Sequence, residues 1–162
     1  MGRDDAPVTA ATRLLRARGV PFEAHLYPFE AHHVARHAAQ ALGVEEHAVI
    51  KTLVMAADPK RPFLVLMHGD CEVSTKALAR LLDVKEVAPL SREEAERATG
   101  YQVGGISPLG TRRPMPVYAE ATIFDLPLIY LNGGKRGFLV ALDPAALRAL
   151  ISPIEVRVAQ TG

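Results

Sequence analysis

An α/β domain with a mixed, largely antiparallel, barrel-like sheet surrounded by helices is what this sequence predicts, and three observations predict it. Strand signals come in adjacent groups, around residues 49–67 and 128–142, instead of alternating strictly with helices as in a doubly wound fold. Helix starts are marked by capping residues at Thr9, Ser74, Ser91 and Asp143. A chain of 162 residues with 49% hydrophobic content can fill one core, and no repeat, low-complexity tract or linker divides it. A single domain over residues 1–162 is expected, with residues 1–8 as a flexible lead.

The elements follow in order. Thr9 caps a helix through Arg18, with Leu14 and Leu15 inward and Gly19 as the stop. Phe22, Ala24 and Leu26 alternate with Glu23, His25 and Tyr27, the pattern of a half-buried strand that ends at Pro28. A second helix is expected from Ala31 to Leu42, closed by Gly43. Val49 to Met55 reads as a strand, and Asp58-Pro59-Lys60-Arg61-Pro62 turns it into another, Phe63 to Met67, as a hairpin. Ser74 caps a short helix through Leu82, and Ser91 with Glu94 makes the capping box of a helix ending at Gly100. One short strand is expected between that helix and Gly104. Leu128 to Asn132 and Phe138 to Leu142 read as strands flanking a glycine turn. Asp143-Pro144 then opens a last helix with a cap and a proline at its first position, and Ile154 to Val158 closes as a strand.

Composition excludes several classes of function. No apolar run approaches the ~18 residues needed to span a bilayer, and the polar start has no apolar secretory segment behind it, so a cytoplasmic protein is expected. Cys71 is the only cysteine, which rules out an internal disulfide and fits a reducing compartment. A formal charge of +1 leaves no basic coat for DNA, so any nucleic acid must be held by a local patch.

The chemistry concentrates in the stretch from Thr99 to Gly110, where Gly104, Gly105 and Gly110 surround a loop stiffened by Pro108 and poor in reactive side chains. Its tools are backbone N–H groups, able to clamp a carbonyl, a phosphate or a terminal ribose; the same pattern also suits a plain tight connection. Lys51 lies mid-strand among apolar residues. It reads either as a lysine snorkelling at a sheet edge or as a cation aimed at a ligand phosphate or carbonyl. Gly133-Gly134-Lys135-Arg136-Gly137 reads either as a hairpin turn or as a second ligand loop. Arg112 and Arg113 with Lys135 and Arg136 form either a solvated surface or, if the loops converge, a four-cation rim for an RNA end. Neither a P-loop nor a Rossmann fingerprint is present, and no cofactor is expected. His33 and His37 lie four apart without a third ligand nearby, and Cys71 has no basic partner in sequence, so neither a metal nor a thiol nucleophile is expected.

Val49-Ile50-Lys51-Thr52-Leu53-Val54, then Thr99 to Gly110, then Gly133 to Gly137, in that order, resemble the YbaK/EbsC family, related to the editing insertion domain of bacterial prolyl-tRNA synthetase. The similarity runs from about Thr9 to near the C-terminus. It implies trans-editing by deacylation of mischarged aminoacyl-tRNA, foremost Cys-tRNA(Pro) or a related small-amino-acid tRNA(Pro). The alternative it implies is a tRNA-binding or synthetase-associated module without turnover. The family's lysine falls on Lys51, which would hold the tRNA 3′ end beside Thr52. Its glycine-to-proline loop falls on Gly104, Gly105, Ile106, Ser107 and Pro108, whose backbone would polarise the ester carbonyl and grip the terminal adenosine. Tyr27 matches a pocket tyrosine, and Gly133 and Gly134 complete the substrate site. Asn132 replaces a common serine, Leu139 a common acid and Val34 an expected aromatic, which implies an altered amino-acid pocket. The implied partners are the 3′ end and acceptor stem of aminoacyl-tRNA, with Arg112, Arg113, Lys135 and Arg136 in contact. Prolyl-tRNA synthetase in a transient complex is the other; membrane and DNA are not.

Overall fold

The computed structural model describes residues 6–161. Its elements are α1 Ala10–Ala17, β1 Glu23–Leu26, α2 Val34–Leu42, β2 Ile50–Ala56, β3 Phe63–His68, β4 Cys71–Val73, α3 Thr75–Leu82 and β5 Ala88–Pro89. They continue with α4 Arg92–Thr99, β6 Val117–Glu120, β7 Ile129–Lys135, β8 Phe138–Leu142, α5 Pro144–Ile151, β9 Ile154–Val156 and β10 Ala159–Thr161. The capping residues hold the helix starts as expected: Thr9 accepts from the Thr12 amide, Ser74 from Ala77, Ser91 from Glu94 and Asp143 from Ala145.

The main sheet has the order β5-β2-β3-β6-β9, and a second has the order β1-β8-β7. A two-stranded ribbon, β10-β4, completes the set. β2 and β3 form the expected hairpin, antiparallel with Ile50 opposite His68 and Met55 opposite Phe63. β6 runs parallel to β3, and β9 parallel to β6, so the sheet is mixed. The two larger sheets meet at an isolated parallel bridge between Val49 and Tyr130, and the curl stops short of a closed barrel.

β3 is buried along its whole length because both its faces are covered, which explains why Phe63-Leu64-Val65-Leu66-Met67 reads as an unbroken apolar run. One core joins Leu66 and Ile50 to Leu131, Val140 and Leu142 of the second sheet, sealed by Leu15 of α1 and Leu147 of α5. A second packs Val65 and Met67 against Leu78 of α3, Val73, Val156 and Val158. Truncating a leucine of this kind to alanine costs about 2–5 kcal/mol.

Some expectations are corrected. Leu26 is 45% exposed, since β1 is an edge strand and only Ala24 turns fully inward. α2 starts at Val34, not Ala31, because His33 takes left-handed backbone (φ 52°) and provides no side-chain cap. No strand lies between Gly100 and Gly104, where turns take its place. β4, β5, β6 and β10 are not signalled by the sequence, and the closing strand expected from Ile154 to Val158 ends at Val156. Of the lead expected over residues 1–8, residues 1–5 lie outside the described residues; Ala6 is buried in the first core, and the Pro7 carbonyl accepts from Thr12 Oγ1 at 3.0 Å. Among the described residues, no helix is long and apolar enough to cross a membrane.

Candidate functional site

A cavity of about 260 Å³ opens between α2, the edge of β2, the glycine loop after α4 and the β7–β8 pair. Five consecutive residues, Val49 to Leu53, line it. A strand shows alternate side chains to each face, so an unbroken row means that β2 presents its edge to the cavity. The ladder explains this: β5 pairs with β2 only at Met55 and Ala56, and Leu90 reaches Val54, so from Leu53 back to the Val49 bridge that edge has no neighbouring strand among the described residues. Val34, Ala35 and Ala38 of α2 form the facing wall, with Leu139 behind.

Polar groups in this apolar space are few. Tyr27 is 8% exposed, and its hydroxyl has no hydrogen-bond partner among the described residues; burial pushes the phenol pKa up. Thr52 Oγ1 is likewise buried and unpartnered. Such orphaned hydroxyls typically cost about 1–3 kcal/mol each, and a protein keeps them mainly where something else supplies the bond. Lys51 Nζ donates to the Cys71 carbonyl at 2.6 Å and lies 3.6 Å from the Glu72 carboxylate. Its charge is thus compensated, and an ammonium has two further N–H groups to offer.

The glycine loop is held from outside. The Val103 N–H donates to Glu96 Oε2 at 2.8 Å, which holds the Glu96 carboxyl below its usual range. Arg136 Nε donates to Val103 O at 2.9 Å, and Asn132 Nδ2 to Gly104 O at 3.0 Å. The Gly105 N–H turns back to Gln102 O, and Tyr101 Oη closes the loop on Leu109 O at 2.6 Å. Among the described residues, the N–H groups of Gly104 and Ile106 have no protein acceptor, and both residues line the cavity.

Of the residues singled out from sequence, Tyr27, Val34, Lys51 and Thr52 converge on the cavity with Gly104, Ile106, Asn132 and Leu139. Gly105, Ser107 and Pro108 do not line it: they are buried on the loop's far side, where Ser107 Oγ accepts from Leu109. Gly133 and Gly134 also lie outside, packed against Phe138 and Tyr101. The cations do not form one rim. Arg113 donates to Lys60 O in the β2–β3 turn, Arg112 lies over Gly100, and Lys135 points to solvent; Arg136 alone of the four bonds the loop, stacked over Phe29. Sequence reasoning missed Ala35 and Ala38, whose three-residue spacing of small side chains on α2 was the available signal, and Val49, Ile50, Leu53 and Val103.

A second cavity of about 380 Å³ shares Val34, Ala35 and Lys51 with the first and adds His33, Arg36, Glu46, Asp70 and Glu72. Lys51 therefore stands between an apolar and a polar chamber. Close by, His47 Nδ1, Asp70 and Cys71 Sγ offer donor atoms within 4.8 Å of one another, the one such group among the described residues. As it stands this group is internally bonded. His47 bonds Asp70 at 2.9 Å, and the Cys71 thiol donates to Asp70 at 3.6 Å. Burial and Asp70 hold that thiol above its usual pKa; burial also raises the Asp70 carboxyl, but the His47 bond and charge outweigh it and keep it low. The Lys51 ammonium, bonded to the Cys71 carbonyl, opposes a cation there. His33 and His37 diverge, His37 bonding Pro28 O and His33 lying against Arg36.

A model of the aminoacyl-tRNA editing domain matches residues 30–150. The chain belongs to that family. The matched stretch contains every cavity-lining residue except Tyr27, which enters from the end of β1. The editing domain is 31% identical to EbsC of Enterococcus faecalis, provisionally named a Cys-tRNA(Pro)/Cys-tRNA(Cys) deacylase, over 88% of this chain and 87% of that one. It is 29% identical to the proline–tRNA ligase of Limosilactobacillus fermentum over 65% of this chain, spanning only 19% of that enzyme. A crystal structure provisionally described as a trans-editing enzyme for prolyl tRNA synthetase superposes with TM-score 0.83 at 26% identity, covering 96% of this chain and 99% of that one.

Proposed function

We propose that this domain removes the amino acid from a mischarged aminoacyl-tRNA, foremost a small amino acid on tRNA(Pro). The observation that carries the reading is an apolar cavity lined by Tyr27 and Thr52, whose buried hydroxyls lack partners among the described residues, together with Gly104, Ile106 and Lys51. An aminoacyl ester supplies what each group lacks. Its carbonyl oxygen accepts from the free loop amides, which stabilise the negative charge that grows there; losing one such donor costs on the order of 10²–10³ in rate. The ribose hydroxyls and phosphate of the terminal nucleotide meet Thr52, Tyr27 and Lys51. The apolar wall of Val34, Ala35, Ala38 and Leu139 takes the amino-acid side chain.

No protein nucleophile is needed. Water can attack the carbonyl carbon, its proton passing to the ribose oxygen as the ester carbon–oxygen bond breaks; a neighbouring ribose hydroxyl that attacks only moves the ester to the adjacent oxygen, which water must still cleave. For a cysteinyl ester, the substrate's own sulfur forms the new carbon–sulfur bond, the ester carbon–oxygen bond breaks, and the ribose oxygen leaves with the thiol proton. Holding the reacting groups together supplies much of the acceleration. Arg112, Arg113, Lys135 and Arg136 lie outside the cavity, where charge contacts with the acceptor stem are made, and a synthetase can deliver the tRNA.

The test incubates purified protein with Cys-, Ala- and Ser-charged tRNA(Pro) and follows loss of the ester, with Lys51→Ala as the control. Release from at least one substrate, reduced on the order of 10²-fold by the substitution, is expected. Absence of release from all three sinks the enzyme; undiminished release by the variant sinks the Lys51 site.

A further inference from the structure

The free amides of the glycine loop are useful only if they point the right way, and glycine does not fix its own peptide planes. The orientation comes from the β7–β8 connection. A peptide unit is planar and trans, so a carbonyl and the N–H that follows it point in opposite directions. Arg136 Nε holds Val103 O at 2.9 Å, which turns the Gly104 N–H away from Arg136. Asn132 Nδ2 holds Gly104 O at 3.0 Å, which turns the Gly105 N–H back to Gln102 O, 2.8 Å away. Gly105 packs so closely on the Lys135–Arg136 backbone that an added Cβ would lie 2.9 Å from Arg136 N.

Asn132 itself has no freedom. Its Oδ1 accepts from Gly134 N at 2.7 Å and Lys135 N at 3.2 Å, which fills both acceptor sites and settles which way the amide faces. Those two bonds span the irregularity in the β7–β8 ladder between Asn132 and Lys135. The turn is anchored in its own right, because Thr9 Oγ1 of the α1 cap donates to Gly133 O. Although Asn132 lines the cavity, its acceptor oxygen is unavailable to substrate.

We infer that Asn132 and Arg136 are positioning residues for deacylation: Arg136, by holding Val103 O, aims the Gly104 amide at the ester carbonyl, and Asn132, by holding Gly104 O, fixes the next peptide plane, on which that aim depends. This rests on the deacylase reading above. It assigns Asn132 to the loop and not to the amino acid, and it gives Arg136 a role beyond tRNA contact.

Asn132→Asp isolates the effect, since a carboxylate keeps the acceptor for Gly134 and Lys135 but loses the donor to Gly104 O. With the best charged tRNA, kcat is expected to fall on the order of 10- to 100-fold with KM changed less than about twofold, because a misplaced group affects the chemical step more than binding. Binding of uncharged tRNA should be unchanged. Hydrogen exchange of the Gly105 amide, which is bonded to Gln102 O, should quicken, while those of Gly134 and Lys135 stay protected. Arg136→Gln provides a second variant, which frees Val103 O and is expected to quicken exchange at Gly105 even if the first is poorly folded. Wild-type kcat and wild-type exchange in a folded variant overturn the proposal, as does a loss expressed wholly in KM. If wild type is inactive on every charged tRNA, the deacylase reading falls, and exchange alone then decides the clamp: quickened loop amides uphold it, and unchanged ones overturn it.

Discussion

The two glycine segments, Gly104 to Gly110 and Gly133 to Gly137, look alike in composition and do opposite work. In the first, glycine at φ +94° leaves a flank of backbone bare toward the cavity. In the second, glycine removes bulk so that Phe138 and Tyr101 can pack against the chain, and nothing there reaches the cavity. What separates them is not flexibility but which of them turns its backbone to the cavity: Gly104 and Ile106 line it, and no residue from Gly133 to Gly137 does.

Alanine at the two sites gives the largest test of that contrast. At Gly133 a Cβ would overlap the ring of Phe138, a fully buried core residue with nowhere to go, so Gly133→Ala should lose about 3 kcal/mol or more or fail to fold. At Gly104 the obstacle is Phe29 Cζ at 2.7 Å, on a half-buried ring that can swing outward. Gly104→Ala should therefore stay folded, with left-handed strain of about 1–3 kcal/mol, and lose on the order of 10²-fold in deacylation. Thermal melts and ester release together decide; the contrast breaks if Gly104→Ala unfolds while Gly133→Ala does not.

A smaller effect sharpens it. Thr52→Val swaps an unpartnered hydroxyl for a methyl of similar shape, so free-protein stability should hold or rise slightly while KM rises about fivefold, the value of roughly one hydrogen bond. A clear drop in melting temperature would mean that the hydroxyl already has a partner in the free protein.

The smallest effect is a pH response. The Glu96 carboxyl is held below its ordinary 4.5, mainly by the Val103 N–H. A group with a depressed folded pKa contributes above its ordinary value, and the contribution is lost as pH falls through the folded one. Exchange at the Val103 amide, corrected for intrinsic rates, should thus quicken below pH 4.5 in wild type and stay flat in Glu96→Gln. A flat wild-type profile would remove Glu96 from the set of pins.

Four of the five helices were legible because their caps are local: Thr9, Ser74, Ser91 with Glu94, and Asp143 with Pro144 mark their starts without help from the rest of the chain. α2 was placed three residues early because its start depends on the backbone of His33, which no side chain announces. The central strands were legible from their apolar runs, whereas β4, β6 and β10 pair with segments distant in sequence and carry polar or exposed residues such as Glu72 and Gln160. At the site, residue types marked Lys51, Tyr27 and the glycine loop. They could not say that Gly105 and Ser107 face inward to the core while Gly104 and Ile106 face the cavity, because that sidedness is set by Asn132, Arg136 and Glu96 from elsewhere in the chain.

The lone bridge between Val49 and Tyr130 has a consequence for how selectivity evolves. The chamber is a gap between two independently bonded frames, with α2 as its third side, so its breadth follows from the angle at that junction and the bulk of a few α2 side chains. Enlarging Ala35 or Ala38 narrows it without breaking a ladder bond. On the deacylase reading proposed above, capacity for one amino acid over another is thus separable from the backbone groups that would act on the ester, and a change of cargo would leave those jaws untouched.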